Sequence, residues 1–387
     1  MRSIELFCGT GGLALGLQQA GFRHEAMYEW DNDSCENIRS NIALSTGAVQ
    51  DWNIVQTDVR LVDYSSFSGK LDLVSGGPPC QPFSLGGKHQ ANNDKRDMFP
   101  EAVRAIRETA PKAFIFENVK GLLRQSFSEY FNYIILQLTY PEITKSEGMT
   151  WEEHLHFLKE YDISGKNCGL AYNVKYLLVN AADYGVPQYR HRVFIVGFRS
   201  DSNMIWTGVQ PTHSQDGLLY SKWVSGEYWE EHNIVRPLET PISDYQIRQL
   251  RKKHDEGLIL KRWKTVRDAI GDLPDPQNGT MPRGLYNHEY RPGARVYPGH
   301  SGSVLDDPSK TIKAGAHGVP GGENMVVLDD GRVRYYTVRE SARIQTFPDD
   351  YLFCASWTES MRQIGNAVPV KLAKTIGSSV FSQLERW

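Results

Sequence analysis

The run Gly9-Thr10-Gly11-Gly12-Leu13-Ala14 constrains the fold more than any other part of the chain. It follows the short apolar stretch Ile4–Phe7 and runs into a helical stretch, Leu13–Ala20, that stops at Gly21. A strand that turns on glycines into a helix opens a β-α-β unit. The glycines make the turn and let a ligand approach the backbone closely. His24–Trp30 reads as the next strand, with Glu29 twenty residues after Gly9. An acid there accepts hydrogen bonds from ribose hydroxyls, so the spacing fits G-x-G-x-x-A, the dinucleotide fingerprint in its alanine form. NAD, FAD and S-adenosylmethionine all satisfy it. A tight turn with no ligand is the bland alternative, and the ordered presence of strand, glycines, helix and acid weighs against it.

The alternation continues. Leu71–Ser75 ends in Gly76-Gly77-Pro78-Pro79, Ala113–Phe116 ends in Glu117-Asn118, Val193–Phe198 gives a further strand, and Asp58 closes another strand candidate. In a parallel α/β sheet, ligands lie outside the carboxyl ends of the strands, where these polar residues fall. Residues 140–172, rich in Glu, Lys and His, read as an insertion without chemistry. Beyond about residue 200 the character changes: Trp, Tyr, Gly and Pro become frequent and long helices rare. The stretch 245–268 carries eight Lys/Arg against three acids, which is either a solvated helix face or a basic surface. Val370, Ala373, Ile376, Val380 and Leu384 are spaced for an amphipathic C-terminal helix.

Composition excludes some classes. The net charge of −3 argues against a nonspecific nucleic-acid coat but leaves a local basic cleft open. The five cysteines are odd in number, widely spaced and without C-x-x-C, so neither a disulfide framework nor a metal cluster is expected. No run of 18 apolar residues exists and the N-terminus lacks a signal-peptide pattern, so an intracellular protein is expected.

Cys80 is the sharpest candidate. Most cysteines are inert buried hydrophobes. This one stands in Gly76-Gly77-Pro78-Pro79-Cys80-Gln81-Pro82-Phe83-Ser84, in a loop that flanking prolines stiffen. A nucleophilic role needs help, since a free thiol with a pKa of about 8.5 is only a few per cent thiolate near neutrality. Glu117, shielded by Phe114 and Phe116, is a candidate proton donor with a raised pKa; a carboxylate paired with an arginine for structural reasons is the ordinary alternative. Gln188-Tyr189-Arg190-His191-Arg192 puts two arginines on one face of an extended segment, fit for a phosphate or an electron-rich carbonyl; taken in isolation, exposed strand-end charges are the ordinary reading. Phe7, placed to lie against an adenine ring, and Asp58, placed to accept from an adenine amino group, favour S-adenosylmethionine over the other cofactors. Core packing for Phe7 and helix capping for Asp58 are the ordinary alternatives.

Taken in order from Ile4 to about Leu372, these segments resemble the cytosine-C5 DNA methyltransferases of bacterial restriction–modification systems. Phe7, Gly9, Thr10, Gly11, Gly12, Leu13, Glu29, Trp30, Asp58 and Val59 resemble the family's S-adenosylmethionine pocket. Pro79-Cys80-Gln81 resembles its nucleophile loop. Asp97-Met98-Phe99 corresponds to a helix start near the cofactor, with Met98 where the family usually has Leu. Glu117-Asn118-Val119 and Gln188–Arg192 match the acid and two-arginine motifs. Arg339–Tyr351 resembles the support of the recognition region. Gln363–Pro369 resembles the last motif, whose Asn366 and Ala367 return to the cofactor. Thr311-Ile312, followed by Ala314-Gly315-Ala316-His317-Gly318, resembles an element that faces DNA in relatives, with Ile for Leu.

The resemblance implies a Rossmann-like α/β methyltransferase domain, residues 1–200 and 353–387, and a smaller target-recognition domain, 201–352. It also implies transfer of a methyl group to C5 of cytosine in double-stranded DNA, by base flipping and a covalent Cys80–C6 intermediate. Cys80, Glu117, Asn118, Arg190 and Arg192 would be catalytic, and Gln81, Ser84, Thr311 and Ile312 would touch DNA. The expected protein is a cytoplasmic, nucleoid-associated monomer without metal, and a separate cognate endonuclease would be its counterpart. A nicotinamide oxidoreductase explains neither Cys80 nor the arginines. An inactive DNA reader would not need Cys80, Glu117 and both arginines. A tRNA methyltransferase of the same family fits the long recognition region less well.

Overall fold

The computed structural model describes residues 1–49, 51–79, 97–165, 169–279, 282–298, 300–314 and 324–387. The chain forms two compact units: Met1–Val179 with His191–Val209 and Ala373–Trp387, and Asn180–Arg190 with Gln210–Leu372. Among the described residues no helix is long and apolar enough to cross a membrane.

The first unit is built on a seven-stranded sheet of β1 (Arg2–Leu6), β2 (Arg23–Glu29), β3 (Ile54–Gln56), β4 (Leu73–Gly76), β5 (Ala113–Val119), β6 (Tyr172–Asn180) and β7 (His191–Arg199). Its spatial order is β3-β2-β1-β4-β5-β7-β6. The pairs from β3 through β5 are parallel, and β7 runs antiparallel to β5. Helices α1 (Gly12–Gln19), α2 (Asn32–Ala43), α3 (Phe99–Thr109), α4 (Ser128–Thr139) and α5 (Trp151–Ile163) accompany it. The strand order reverses between β1 and β4, and a ligand crevice forms beyond the carboxyl ends at such a switch point. The glycine turn leaves β1 there, and Gly77-Pro78-Pro79 leaves β4 there. The two strand ends touch so closely that a Cβ on Gly76 would lie 2.5 Å from the Leu6 carbonyl oxygen. Only glycine satisfies that register, in which Leu6 pairs with Gly76.

Ile4, Leu6, Val74, Phe114 and Phe116 are fully buried among α3, α4 and α5 side chains. Each such side chain contributes roughly 1.5–3 kcal/mol by leaving water. The C-terminal helix Val370–Leu384 packs on α1: a Cβ on Gly377 would meet Leu17, and Phe381 stacks edge-on against Phe22.

Two readings of the sequence need correction. The supposed insertion 140–172 supplies a real element: α5 carries a Thr150–Glu153 capping box and buries Leu155 and Leu158 in the core. The strand after Ala113 also runs on to Val119, so Glu117 and Asn118 lie inside it. The pleat therefore sets Glu117 on the face opposite Phe114 and Phe116, which stack on each other in the core and do not shield it.

In the second unit the strands are short, while the helices Asp244–Asp255 and Trp357–Asn366 run to 12 and 10 residues. Trp223, Tyr228, Trp229 and Trp263 form its own aromatic core. The basic stretch is divided. Arg262 binds Glu231 and Asp268, and Arg267 binds Asp306 and Asp329, all inside this unit. Arg248, Arg251, Lys252 and Lys253 stay exposed on the helix Asp244–Asp255.

Candidate active site

In the first unit the glycine turn is held from two sides. Gly11 is left-handed and gives α1 no side-chain cap. The cap comes instead from β1: the Glu5 carboxylate accepts from the Ala14 N–H at 3.1 Å. The Ser75 hydroxyl donates to its other oxygen at 3.1 Å. Glu5 is fully buried, and burial pushes its pKa up to about 8 against those hydrogen bonds. Thr10 is buried and accepts from the Asn37 amide at 2.8 Å. At the end of β2, Glu29 accepts from the Gly9 N–H at 2.8 Å and from the Trp30 and Asp31 N–H groups at 2.9 Å. Burial holds the Glu29 carboxyl above its ordinary range despite these bonds.

Among the described residues the turn is open at Gly9. A Cβ on Gly9 would meet no described atom within 4 Å, and Trp30, the residue after Glu29, is 74% exposed. Phe7 adopts a left-handed φ of 55°, a conformation that costs an L-residue about 1–2 kcal/mol. Such strain persists where the surroundings hold it, often at ligand sites. Leu13 and Val59 are buried in the core. Asp58 caps a short 3-10 turn through the Arg60 N–H and grips the Arg60 guanidinium in a bidentate pair. The capping alternative is thus realised, and an adenine amino group would have to share or displace Arg60.

Cys80, Gln81 and Ser84 lie outside the described residues, but the approach to them is visible. Pro79 is exposed and its carbonyl accepts from the Met98 N–H at 3.3 Å, at the start of α3. The Asn118 amide donates to the Pro78 carbonyl at 3.0 Å, and its oxygen accepts from the Val119 N–H at 2.8 Å. One strand position earlier, Glu117 forms an ion pair with Arg192, Nε to Oε1 at 2.6 Å, with both side chains about nine-tenths buried. The two come together because β5 and β7 pair in register, Val119 opposite Arg192 and Glu117 opposite Phe194. Burial pulls the Arg192 guanidinium pKa down, against the stabilising Glu117 charge. Gly77 faces the other carboxylate oxygen: a Cβ there would lie 3.5 Å from Glu117 Oε2. Of the other cysteines, Cys8 and Cys35 are buried, and burial raises both thiols, that of Cys35 to about 12. Neither is a thiolate nucleophile.

In the second unit, Arg190 corrects one expectation. It is fully buried, and its guanidinium donates to the carbonyls of Ile312 (2.9 Å), Gly365 (2.6 Å) and Ala367 (3.0 Å). Ile312 is a second correction: with no exposed surface it cannot present its side chain to DNA. The Thr311 hydroxyl donates to the Tyr189 carbonyl at 2.5 Å. Asn366 is exposed at the end of the helix Trp357–Asn366, while Ala367 is buried. Gly315–Gly318 lie outside the described residues. The residues missed by the sequence reading are Glu5, Asn37 and Ser75, whereas Gln345 falls in the Arg339–Tyr351 segment it did single out. Of the missed ones only Glu5 carried a signal, as an acid inside an otherwise apolar strand.

The sequence profile described as C-5 cytosine-specific DNA methylase matches residues 1–140 and 146–382. The chain is 31% identical to the Type II methyltransferase M.NgoMIV of Neisseria gonorrhoeae, over 99% of this chain and 98% of that protein. It is also 31% identical to the Type II methyltransferase M.PspPI of a Psychrobacter species, over 98% of this chain and 79% of that one. Among solved structures it resembles the S. pombe Dnmt2 methyltransferase, with a TM-score of 0.56 at 18% identity over 99% of both chains. The Entamoeba histolytica methyltransferase EhMeth gives a TM-score of 0.57 at 12% identity, over 99% of this chain and 98% of that one.

Proposed function

The chain belongs to the C-5 cytosine-specific DNA methylases and is a DNA cytosine-C5 methyltransferase; from that premise we propose that it acts on a specific duplex sequence, using S-adenosylmethionine, an extruded cytosine and a covalent bond from Cys80. The observation that carries this reading is the Glu117–Arg192 pair, together with the neighbouring Asn118 that holds the Pro78 backbone two residues before Cys80.

The cofactor fits what the first unit offers. The open space at Gly9 leaves room for a ligand against the backbone, the strained Phe7 offers a ring, and Glu29 stands at the end of β2. Trp30, Thr10, Gly11, Gly12, Leu13, Val59, Pro79 and Met98 would complete the pocket, with Asp58 exchanging Arg60 for the adenine amino group; the family resemblance adds Asn366 and Ala367 as cofactor contacts. When bound, S-adenosylmethionine supplies an electrophilic methyl group on a sulfonium.

Cytosine C5 is a poor nucleophile inside a base stack, so the nucleotide must leave the duplex at a cost of a few kcal/mol. Lys and Arg contacts to phosphate offset that cost. The Cys80 thiolate adds to C6, and the electron pair of the C5–C6 bond is delivered toward N3. Glu117 gives N3 a proton, and Arg192 holds the carboxyl in line and faces the cytosine carbonyl. C5 of the resulting enamine takes the methyl group, with S-adenosylhomocysteine as the leaving group; a base removes the C5 proton, the C6–sulfur bond breaks to return the thiolate, and N3 gives its proton back to Glu117. Asn118 fixes the loop through Pro78. Arg190 acts on backbone, not on cytosine. Gln81, Ser84 and Thr311 meet the DNA. The curated relatives support a place as the modification partner of a restriction endonuclease.

Cys80→Ala abolishes methyl transfer to duplex DNA and leaves cofactor binding intact. Wild-type enzyme forms a stable adduct with 5-fluorocytosine DNA, because fluorine at C5 cannot be abstracted as a proton is. Near-normal transfer by Cys80→Ala, or no adduct with active enzyme, would overturn the mechanism.

A further inference from the structure

Within the second unit, residues 282–298 form a strap of almost wholly irregular backbone that is nonetheless pinned in place. The Asn287 amide donates to the Phe353 carbonyl at 2.7 Å and accepts from the Phe353 N–H at 2.9 Å. Buried Arg339 donates through its N–H to the Asn287 carbonyl at 2.6 Å and through Nε to the Tyr286 carbonyl at 3.1 Å. His288 is fully buried and donates from Nε2 to the Pro274 carbonyl at 2.8 Å. On this fixed backbone the exposed side chains are Arg283, Arg291 and Arg295, interleaved with Tyr286, Tyr290 and Tyr297, and the one acid among them is Glu289. A basic stripe of this kind fits a nucleic acid.

Arg291 differs from the other two arginines. Its guanidinium lies over the Trp357 ring, 5.4 Å from the ring centre. Trp357 is itself fixed: its Nε1–H donates to the Tyr336 carbonyl at 3.4 Å, and its ring packs against Tyr335 with centres 5.6 Å apart. Stacking uses the face of a guanidinium and leaves its N–H donors, which lie in the plane, to bond elsewhere. Among the described residues no acceptor takes those of Arg291, and neither Arg283 nor Arg295 rests on an aromatic ring. A phosphate asks mainly for charge, which a swinging side chain supplies. A base edge asks for a planar fork held in one orientation, and the pairing that fits such a fork is guanine, through O6 and N7 in the major groove.

We infer that Arg291, steadied by Trp357, is a specificity-determining residue that reads one guanine of the target duplex. This rests on the reading of the chain as a sequence-specific methyltransferase of duplex DNA. The test methylates a pool of duplexes randomised around the cytosine and scores them by bisulfite sequencing. Wild type should prefer guanine at one position by about 5- to 150-fold, the range of a bidentate arginine–guanine contact. Arg291→Lys keeps the charge and loses the fork, so the preference at that position should vanish while the others persist. Trp357→Leu frees the guanidinium and should weaken the same preference without abolishing it. If Arg291→Lys transfers too little to sequence, duplex binding gives the same comparison: 7-deazaguanine at that position, which lacks N7, should weaken binding by wild type and not by the variant. Unchanged preferences in Arg291→Lys, relaxation only where the base is not guanine, or a uniform loss across the pool as a phosphate contact would give, each overturns the inference. A wild type that methylates no duplex, or all of them equally, would instead overturn the functional reading.

Discussion

Phe7 carries a bulky ring on a backbone that glycine would adopt without strain, at φ 55°. Replacing it separates two effects. Phe7→Gly and Phe7→Ala both remove the ring, and both should weaken S-adenosylhomocysteine binding by about 5- to 150-fold, the worth of roughly 1–3 kcal/mol of base stacking. Phe7→Gly should nonetheless be the more stable by about 1 kcal/mol in urea denaturation, since it relieves the left-handed strain that alanine retains. Equal stability would mean that the strain is not stored there. At this scale, what the sequence revealed depended on distance along the chain. Phe7, Glu29 and Asn118 stand at places that their neighbours define. Glu117 was legible as a site residue, but its surroundings were misjudged, because the strand continues three residues beyond Phe116 and the pleat reverses its face. Its Arg192 partner is 75 positions away and comes into view only through the β5–β7 register. Arg190 looked like a twin of Arg192, and only the folded chain shows the carbonyls around it.

At the scale of elements, Glu5 joins β1, α1 and β4 through one carboxyl. Its proton is the controlling variable. Burial raises its pKa from an ordinary 4.5 to about 8, so the folded chain keeps a proton that the unfolded chain gives up. Stability from this residue is complete below pH 4.5 and drains away as pH rises toward about 8. The slope is about 1.4 kcal/mol per pH unit inside that window. Glu5→Gln mimics the protonated form, so its denaturation midpoint should fall less between pH 5 and pH 8 than that of wild type, and at pH 8 it should be the more stable chain. Parallel pH profiles for the two would refute the assignment. The parallel strands and their loops were readable because each apolar run ends in glycine, proline or an acid. α5 was not, because its Glu, Lys and His masked the helical spacing of Trp151, Leu155 and Leu158. β6 escaped notice because most of it alternates around half-buried and exposed positions.

For the molecule as a whole, the composition changes near residue 200, while the second compact unit takes Asn180–Arg190 as well as Gln210–Leu372, and short strands and paired arginines there leave little periodicity to read. Its charge is also easy to misjudge. Arg262 and Arg267 look available to DNA in sequence, yet carboxylates on both sides of each hold them in place. Burial disfavours the Asp268 charge, but hydrogen bonds from Arg262 and the Thr265 N–H outweigh it and keep its carboxyl well below the usual range. Arg248 and Arg251 stay exposed on the helix Asp244–Asp255, whereas Lys253 pairs with Asp216 at 2.6 Å.

The eleven residues Asn180–Arg190 fold with the second unit although they precede the last strand of the first. Specificity engineering has to respect that seam. A hybrid enzyme that imports a foreign reader between residues 201 and 352 would leave Gln188 and Arg190 facing an unfamiliar Ile312 counterpart. A hybrid that carries 180–190 and 210–372 together transplants the whole lock with its key. The second design should yield soluble, methylating chimaeras with the donor's sequence preference more often than the first, and a side-by-side set of grafts scored by bisulfite sequencing would decide it.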